Sequence, residues 1–327
     1  MKKLLFALSF LAIACQEPAQ DQPETLEPTA IDGLTLTFID HSITTPAVAL
    51  EFTSEATGYL VTTGGEIYKT TNSGEVWRKI KDNAGEINDL DFISADEGWA
   101  VGTRVLHTTD AGESWQTVDV DRQEPEDLIS IHFINDKIGI AAGISSVLKT
   151  IDGGETWNET IFEDLNANIR SIEFFDDNNG IISTTQQTIL VTNNAGVTWT
   201  VLNAFKADAL GFPSSSVGFY SSDKNIFKTT NAGDKWTSIH TFDDNTSNIY
   251  SLNFITEQTG FAFGRGKWSG GDFGYTMGSL YFTKDGGLSW KGSDGVHESM
   301  ELMLATFPTS TVGYAIGGRK LVRIKIL

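Results

Sequence analysis

Thr283-Lys284-Asp285-Gly286-Gly287-Leu288-Ser289-Trp290 is the last of six near-copies of one octapeptide. The others are Thr70–Trp77 (TTNSGEVW), Thr108–Trp115 (TTDAGESW), Thr150–Trp157 (TIDGGETW), Thr192–Trp199 (TNNAGVTW) and Thr229–Trp236 (TTNAGDKW). The common pattern is Thr-x-Asp/Asn-x-Gly-x-x-Trp. Recurrence at a period near forty residues identifies a repeat architecture. Within each box the glycine permits the left-handed backbone of a tight hairpin. The Asp or Asn side chain can bond to turn amides, and the Thr can do so more weakly. The tryptophan supplies a large apolar body, expected to wedge against a neighbouring repeat.

Outward from the boxes, each unit opens with a short alternating segment ending in Phe, such as Ile87–Phe92 (INDLDF) or Ile169–Phe174 (IRSIEF). Alternation with β-branched and aromatic residues marks half-buried strands. Seven Gly-apolar pairs follow: Gly58-Tyr59, Gly98-Trp99, Gly139-Ile140, Gly180-Ile181, Gly218-Phe219, Gly260-Phe261 and Gly313-Tyr314. A third strand runs into each box and a fourth leaves from its tryptophan. Leu34 to Leu327 spans 294 residues, or 42 per unit. The expected fold is all-β, a seven-bladed β-propeller of four-stranded blades. The seventh unit lacks a box and ends the chain at Leu321–Leu327. Leu34–Ile39 alternates correctly and has no blade of its own, so it is expected to complete the last blade and close the ring.

The boxes resemble the Asp-box (bacterial neuraminidase) repeats of sialidases and related propellers. The combined rhythm of Gly-aromatic, a glycine near the second turn and the Thr-x-Asp-x-Gly-x-x-Trp box is most similar to the photosystem II stability/assembly factor family and its many bacterial relatives. The resemblance covers roughly residues 33–327. It implies the fold strongly and an activity weakly, because such boxes occur in enzymes and binding proteins alike.

The N-terminus reads as an export segment. Lys2 and Lys3 precede the apolar run Leu4–Ile13, too short to span a bilayer permanently. With Ala12-Ile13-Ala14 before Cys15, it resembles a bacterial lipoprotein signal, with Ala12 where that family usually has Leu. The expected organisation is a signal peptide over 1–14, a lipidated Cys15 with a disordered acidic tether over 15–32, and the propeller over 33–327. That implies an outer-membrane-anchored envelope protein touching the membrane only through its lipid. Cys15 is the single cysteine, so disulfides and thiolate metal sites are excluded from the propeller. With 23 basic against 43 acidic residues the net charge is −20, which argues against nucleic acid as a partner.

Strand order places the boxes on one face, and the loops between second and third strands, with those joining blades, on the other. The intervals between box tryptophans are 38, 42, 42, 37 and then 54 residues. The excess is Arg265–Ser279, a Gly-rich insertion in the sixth blade with Arg265, Lys267, Trp268, Phe273 and Tyr275. Long insertions on rigid scaffolds often carry binding. Arg104 in the second blade and Arg319-Lys320 in the seventh occupy the equivalent loop, and Arg122 lies in a blade-joining loop. In the assembly-factor family an arginine-rich patch on the propeller face is implicated in holding a partner polypeptide. Arg104 and Arg319 most resemble that pattern. These residues form the expected binding set, suited to an anionic or carboxylate-bearing ligand. Asn72, Trp77, Asp110, Trp115, Asp152, Trp157, Asn194, Trp199, Asn231, Trp236, Asp285 and Trp290 form the expected structural set.

A sialidase-like enzyme would carry three carboxylate-clamping arginines, a Tyr/Glu pair, an Asp acid/base and an early Arg-Ile-Pro. That segment is absent here. A different glycosidase could pair two carboxylates. Asp121, Glu126, Asp127, Asp243, Asp244 and Glu298 lie in blade-joining loops. The five histidines (41, 107, 132, 240, 297) show no metal-pair spacing; His297, beside Glu298, is the one in a blade-joining loop. The favoured reading is a non-catalytic envelope lipoprotein, monomeric and without cofactor or metal. It would bind a polypeptide or glycan through its loop face as an assembly, stability or docking factor. The alternatives are an envelope glycoside hydrolase and a structural surface protein with no defined ligand.

Overall fold

The computed structural model describes residues 29–31, 33–82, 85–121, 127–162, 169–185, 188–202, 206–243, 246–266, 278–294, 304–317 and 320–327. It contains seven antiparallel sheets arranged as a ring, six of four strands and one of five. Blade 1 comprises Ala47–Phe52, Gly58–Thr62, Ile67–Thr70 and Arg78–Lys81, hydrogen-bonded in that order from the channel outward. The other inner strands are Ile87–Phe92, Ser130–Phe133, Ile169–Phe174, Ala209–Gly211, Thr246–Phe254 and Leu304–Thr306. No helix occurs among the described residues.

The ring closes as the alternation predicts. Leu34–Asp40 pairs antiparallel with Lys320–Ile326, from Leu34↔Ile326 to Asp40↔Lys320. Leu34 and Leu36 are fully buried there, in a cluster with Phe261, Phe282 and Val322. The expected tether boundary needs one correction. Thr29–Ile31, assigned to the tether, forms a fifth strand outside Leu34–Asp40. Gly33, at φ 89°, supplies the tight reversal between the two.

Blade-to-blade contact follows a repeated rule built on the terminal Phe of each inner strand. That ring lies flat on the first glycine of its own second strand. A Cβ added at Gly58, Gly98, Gly139, Gly180, Gly218, Gly260 or Gly313 would come within 2.2–2.7 Å of the ring, closer than real Cβ atoms approach. The residue after the glycine caps the Phe of the next blade. Tyr59 stacks on Phe92 (4.0 Å between centroids), Trp99 on Phe133 (4.0 Å), Phe219 on Phe254 (3.5 Å), Phe261 on Phe307 (4.7 Å) and Tyr314 on Phe52 (3.6 Å). Ile140 and Ile181 take this place against Phe174 and Phe212. Such ring pairs add about 0.5–1.5 kcal/mol each beyond their area.

The box tryptophans meet the same Phe rings from the side. Six pairs, from Phe52–Trp77 to Phe254–Trp290, have centroids 5.9–6.0 Å apart and ring planes at 79–88°. Each tryptophan packs against its own blade's Phe and, as expected, also lies in the core cluster shared with the preceding blade, as Trp290 does beside Phe242 at 5.6 Å. The preceding blade meets the fifth-position glycine of the box as well. A Cβ on Gly154, at φ 85°, would lie 2.7 Å from Trp99 Nε1 of the preceding blade. The polar part of each box is internal. The first Thr hydroxyl donates to the Asp or Asn Oδ1 at 2.7–2.9 Å and accepts the N–H of the fifth-position glycine at 2.8–3.0 Å. Oδ1 also accepts the N–H four residues ahead, at 2.8–3.0 Å. In the boxes with Asp, a Ser or Thr hydroxyl binds the second oxygen, and these donors pull the Asp152 carboxyl down to about 2.

Removing residues 29–40 exposes the edge of Lys320–Ile326 and discards two fully buried leucines. Leucine burial alone is worth about 4 kcal/mol. The melting temperature is expected to fall by on the order of 10 °C, and an unchanged melt by circular dichroism contradicts the closure.

Candidate functional site

An inner strand presents its free edge to the channel, so its outward N–H groups need partners other than a fifth strand. This chain supplies them from the preceding blade. Glu51 accepts the Phe92 N–H with both carboxylate oxygens, at 3.2 Å each. Asp91 Oδ2 accepts the Phe133 N–H, and Glu173 Oε1 accepts the Phe212 N–H at 3.2 Å. Asp89 adds a parallel link, its Oδ2 accepting from Ile131 N–H at 3.0 Å and from the Ser130 hydroxyl at 3.1 Å. Each carboxylate is a side-chain staple across a blade boundary.

Enclosure in the channel wall raises the proton affinity of all four. Burial pushes Asp89 up to about 7 against three opposing hydrogen bonds. It pushes Glu173 to about 7 against the single Phe212 bond. Glu51 is raised well above the carboxylate range by burial, then by the charge of Asp91, and Asp91 is raised by burial as well. On the same ring of strands, burial lowers His132 to about 4, which keeps it neutral. Sequence reading passed over these carboxylates as strand alternation. The available signal was an acidic residue directly before the inner-strand Phe in three of seven units: Glu51-Phe52, Asp91-Phe92 and Glu173-Phe174.

The open part of the channel lies along blades 5 to 7, where two inner strands are only three residues long. A cavity of about 390 Å³ begins at the loop-face end, lined by Ser183, Asp208, Tyr250 and Leu304. A second, of about 420 Å³, reaches the box face past Glu173, Phe212, Phe254 and Phe307. They share Leu210, Leu252 and Asn253, so together they follow the inner strands from one face to the other. The wall mixes leucine and phenylalanine with hydroxyl, amide and carboxylate groups, as ligand pockets do.

The residues predicted to bind fall into three groups. Arg104 is exposed in the turn between the second and third strands of blade 2, without an ion pair among the described residues. Lys320 opens the third strand of blade 7 on the same face but pairs with Asp40 of the closing strand. Blade 1 separates these two. Arg265 lies in the second strand of blade 6, its backbone opposite Gly278. The Arg265 side chain, Lys267, Trp268, Phe273, Tyr275, Arg319 and Cys15 lie outside the described residues. So do Arg122, Glu126, Asp244, His297 and Glu298. Among the remaining loop carboxylates, Asp121 and Asp243 are exposed and Asp127 is half-buried. Lys206, which no sequence motif singled out, bridges Asp208 and Asp223 at the channel rim. No group of three or more metal-capable side chains occurs among the described residues.

Seven closed blades, six internally bonded Asp boxes and an axial cavity define an Asp-box β-propeller. Residues 35–165 match the family model "Photosynthesis system II assembly factor YCF48", and the chain is a propeller of that likeness. The structure titled "YCF48 bound to D1 peptide" superposes with a TM-score of 0.73 at 17% identity, covering 89% of this chain and 97% of that one. "YCF48 from Cyanidioschyzon merolae" gives 0.72 at 17% identity, over 89% and 98%. Virginiamycin B lyase from Staphylococcus aureus gives 0.67 at 11% identity, over 90% and 100%. No curated protein sequence matches. At these identities the structural likeness concerns the fold.

Glu173 tests the staple account through pH. Its folded-state value lies above the ordinary 4.5, so the folded form keeps its proton longer than the unfolded chain. The resulting stability is complete below about pH 4 and is lost as pH rises through about 7. Glu173→Gln cannot titrate. Relative to the parent it should gain on the order of 1 kcal/mol between pH 5 and pH 8, after screening through the channel. A difference between the two melts that does not change with pH contradicts this account.

Proposed function

We propose that the chain is a non-catalytic propeller that binds a polypeptide through its loop face and the adjoining channel, as an assembly or stability factor. A lipid on Cys15 would carry it to the cell envelope. One observation carries the binding reading. The axial cavity is open from the loop face, while the two carboxylates in its lining are already partnered, Glu173 with the Phe212 N–H and Asp208 with Lys206 and the Asp223 N–H. A cavity with recognition groups but with its acids committed to the scaffold suits binding better than acid–base chemistry. The match to the assembly-factor model points the same way, as does the D1 peptide named in a related structure.

The peptide would lie across the rim, with Arg104 holding an acidic group and an apolar side chain entering beside Leu210 and Leu252. Arginine is suited to the first task through its planar, paired donors. The envelope location is supported by the basic and apolar residues ahead of Cys15. The chain enters the propeller at Thr29. That residue lies at the loop-face end of its strand, because the strand runs antiparallel to Leu34–Asp40.

Selection from a displayed library of random dodecapeptides, followed by fluorescence anisotropy, tests the site. Enriched peptides are expected to carry an acidic residue and, several residues away, an apolar one. Arg104→Ala and Leu252→Ala should each weaken them about tenfold, the equivalent of 1.4 kcal/mol. Failure to enrich any peptide, or unchanged affinity in both variants, contradicts the site. In the same host, Cys15→Ser should abolish incorporation of a labelled fatty acid, and retained label contradicts the anchor.

A further inference from the structure

The seam between blades 4 and 5 is one of two with an aliphatic cap, and a cleft opens there. The capping position holds Ile181 in place of a ring. Phe212 of blade 5 is covered instead by Phe175, from the turn after the inner strand of blade 4. Their centroids are 4.6 Å apart and their planes 23° from parallel. This substitution shifts aromatic mass toward the box face and leaves a cavity of about 280 Å³ above Ile181 and Val191. The cleft lies on the box face, across the ring from the loop-face site.

Its lining is sorted by polarity. Phe175, Ile181, Val191 and Phe212 form the floor. Asn193 and Thr200 of blade 4 and Asp234 of blade 5 stand exposed at the rim, their side chains making no hydrogen bonds among the described residues. Other rim groups are committed: the Asn179 amide to Asp176, and the Thr198 hydroxyl to Asn194. Among the described residues no lysine or arginine lines the cleft. An aromatic floor suits the C–H face of a sugar ring. An amide, a hydroxyl and a carboxylate together offer donors and acceptors for neighbouring hydroxyl groups. The lack of a cation disfavours phosphorylated or acidic sugars. The volume lies just below the range of drug-sized ligand sites, which suits one ring more than a long segment.

We propose that this cleft is a binding subsite for one uncharged pyranose ring, independent of polypeptide binding on the opposite face. Phe175 is the platform, and Asn193, Thr200 and Asp234 grip the hydroxyl groups. The purpose of such a site on the box face is attachment to a polysaccharide while the loop face stays open.

Saturation-transfer NMR on the whole propeller tests it. The probes are the methyl glycosides of glucose, galactose, mannose and N-acetylglucosamine, with sialyllactose as the acidic comparison. At least one uncharged glycoside is expected to show transfer. Phe175→Ala should weaken its binding about tenfold through lost ring contact, and Asp234→Asn about fivefold. Phe175→Tyr, which keeps the stack on Phe212, should retain binding. Asp234→Asn leaves the Phe175–Phe212 stack in place, so weakened binding in that variant separates loss of the site from loss of the seam. Arg104→Ala should leave sugar binding unchanged. Absence of transfer to all four glycosides overturns the proposal, as does transfer undiminished in both Phe175→Ala and Asp234→Asn. Either result leaves peptide affinity on the loop face as a separate measurement.

Discussion

A phenylalanine ring pressed flat between a glycine of its own blade and a side chain of the preceding blade is the contact on which this ring depends. It recurs seven times. It explains three features of the sequence together: the Phe ending each inner strand, the glycine opening each second strand, and the large apolar residue after that glycine. The glycine is demanded by distance, since any Cβ would enter the ring. The box tryptophan then meets the same ring edge-on. Blades share no backbone ladder, only single bonds such as Leu128 N–H to the Gly102 carbonyl at 2.9 Å, so side-chain contacts do most to fix the angle between them. A rigid ring with three defined neighbours does that better than a flexible aliphatic side chain.

Most of the architecture was legible because it is periodic. The box spacing fixed the blade count, and the boxless final unit with the orphan Leu34–Ile39 segment fixed the closure. Thr29–Ile31 was not legible. Three residues beside a Pro-rich acidic run carry too little alternation to be told from a tether. The carboxylate staples were hidden for a different reason. On one strand Glu51 or Asp91 reads as the solvent-facing member of an alternating pair. Only the ring brings it against the neighbour's Phe N–H, and no local pattern encodes that contact. The loop-face basic set was legible as residue types in equivalent loops. Its electrostatics were not, since Lys320 is paired with Asp40 through a strand register that only closure creates.

The two faces divide the work. Boxes use their polar atoms internally, so the Asp residues that look most chemical in the sequence act as turn locks. The inner carboxylates are likewise consumed in joining blades, and their raised proton affinity follows from enclosure without a cation among the described residues. What remains uncommitted lies elsewhere: the axial cavity along blades 5 to 7, Arg104 on the loop face, and the cleft at the one seam where Phe175 replaces a second-strand ring. Irregularity in a repeat fold marks where the scaffold has been released from its own packing rule.

The sandwiched phenylalanine can be weighed directly at the seam between blades 5 and 6, where Phe219 lies parallel to Phe254 at 3.5 Å. Neither ring carries a hydroxyl group to complicate the reading. Denaturant unfolding of Phe219→Leu, Phe254→Leu and the double variant forms a thermodynamic cycle. The account predicts a coupling energy of about 1 kcal/mol between the two positions. Strict additivity, within about 0.3 kcal/mol, would show that the rings merely fill space and that something else holds the blades together.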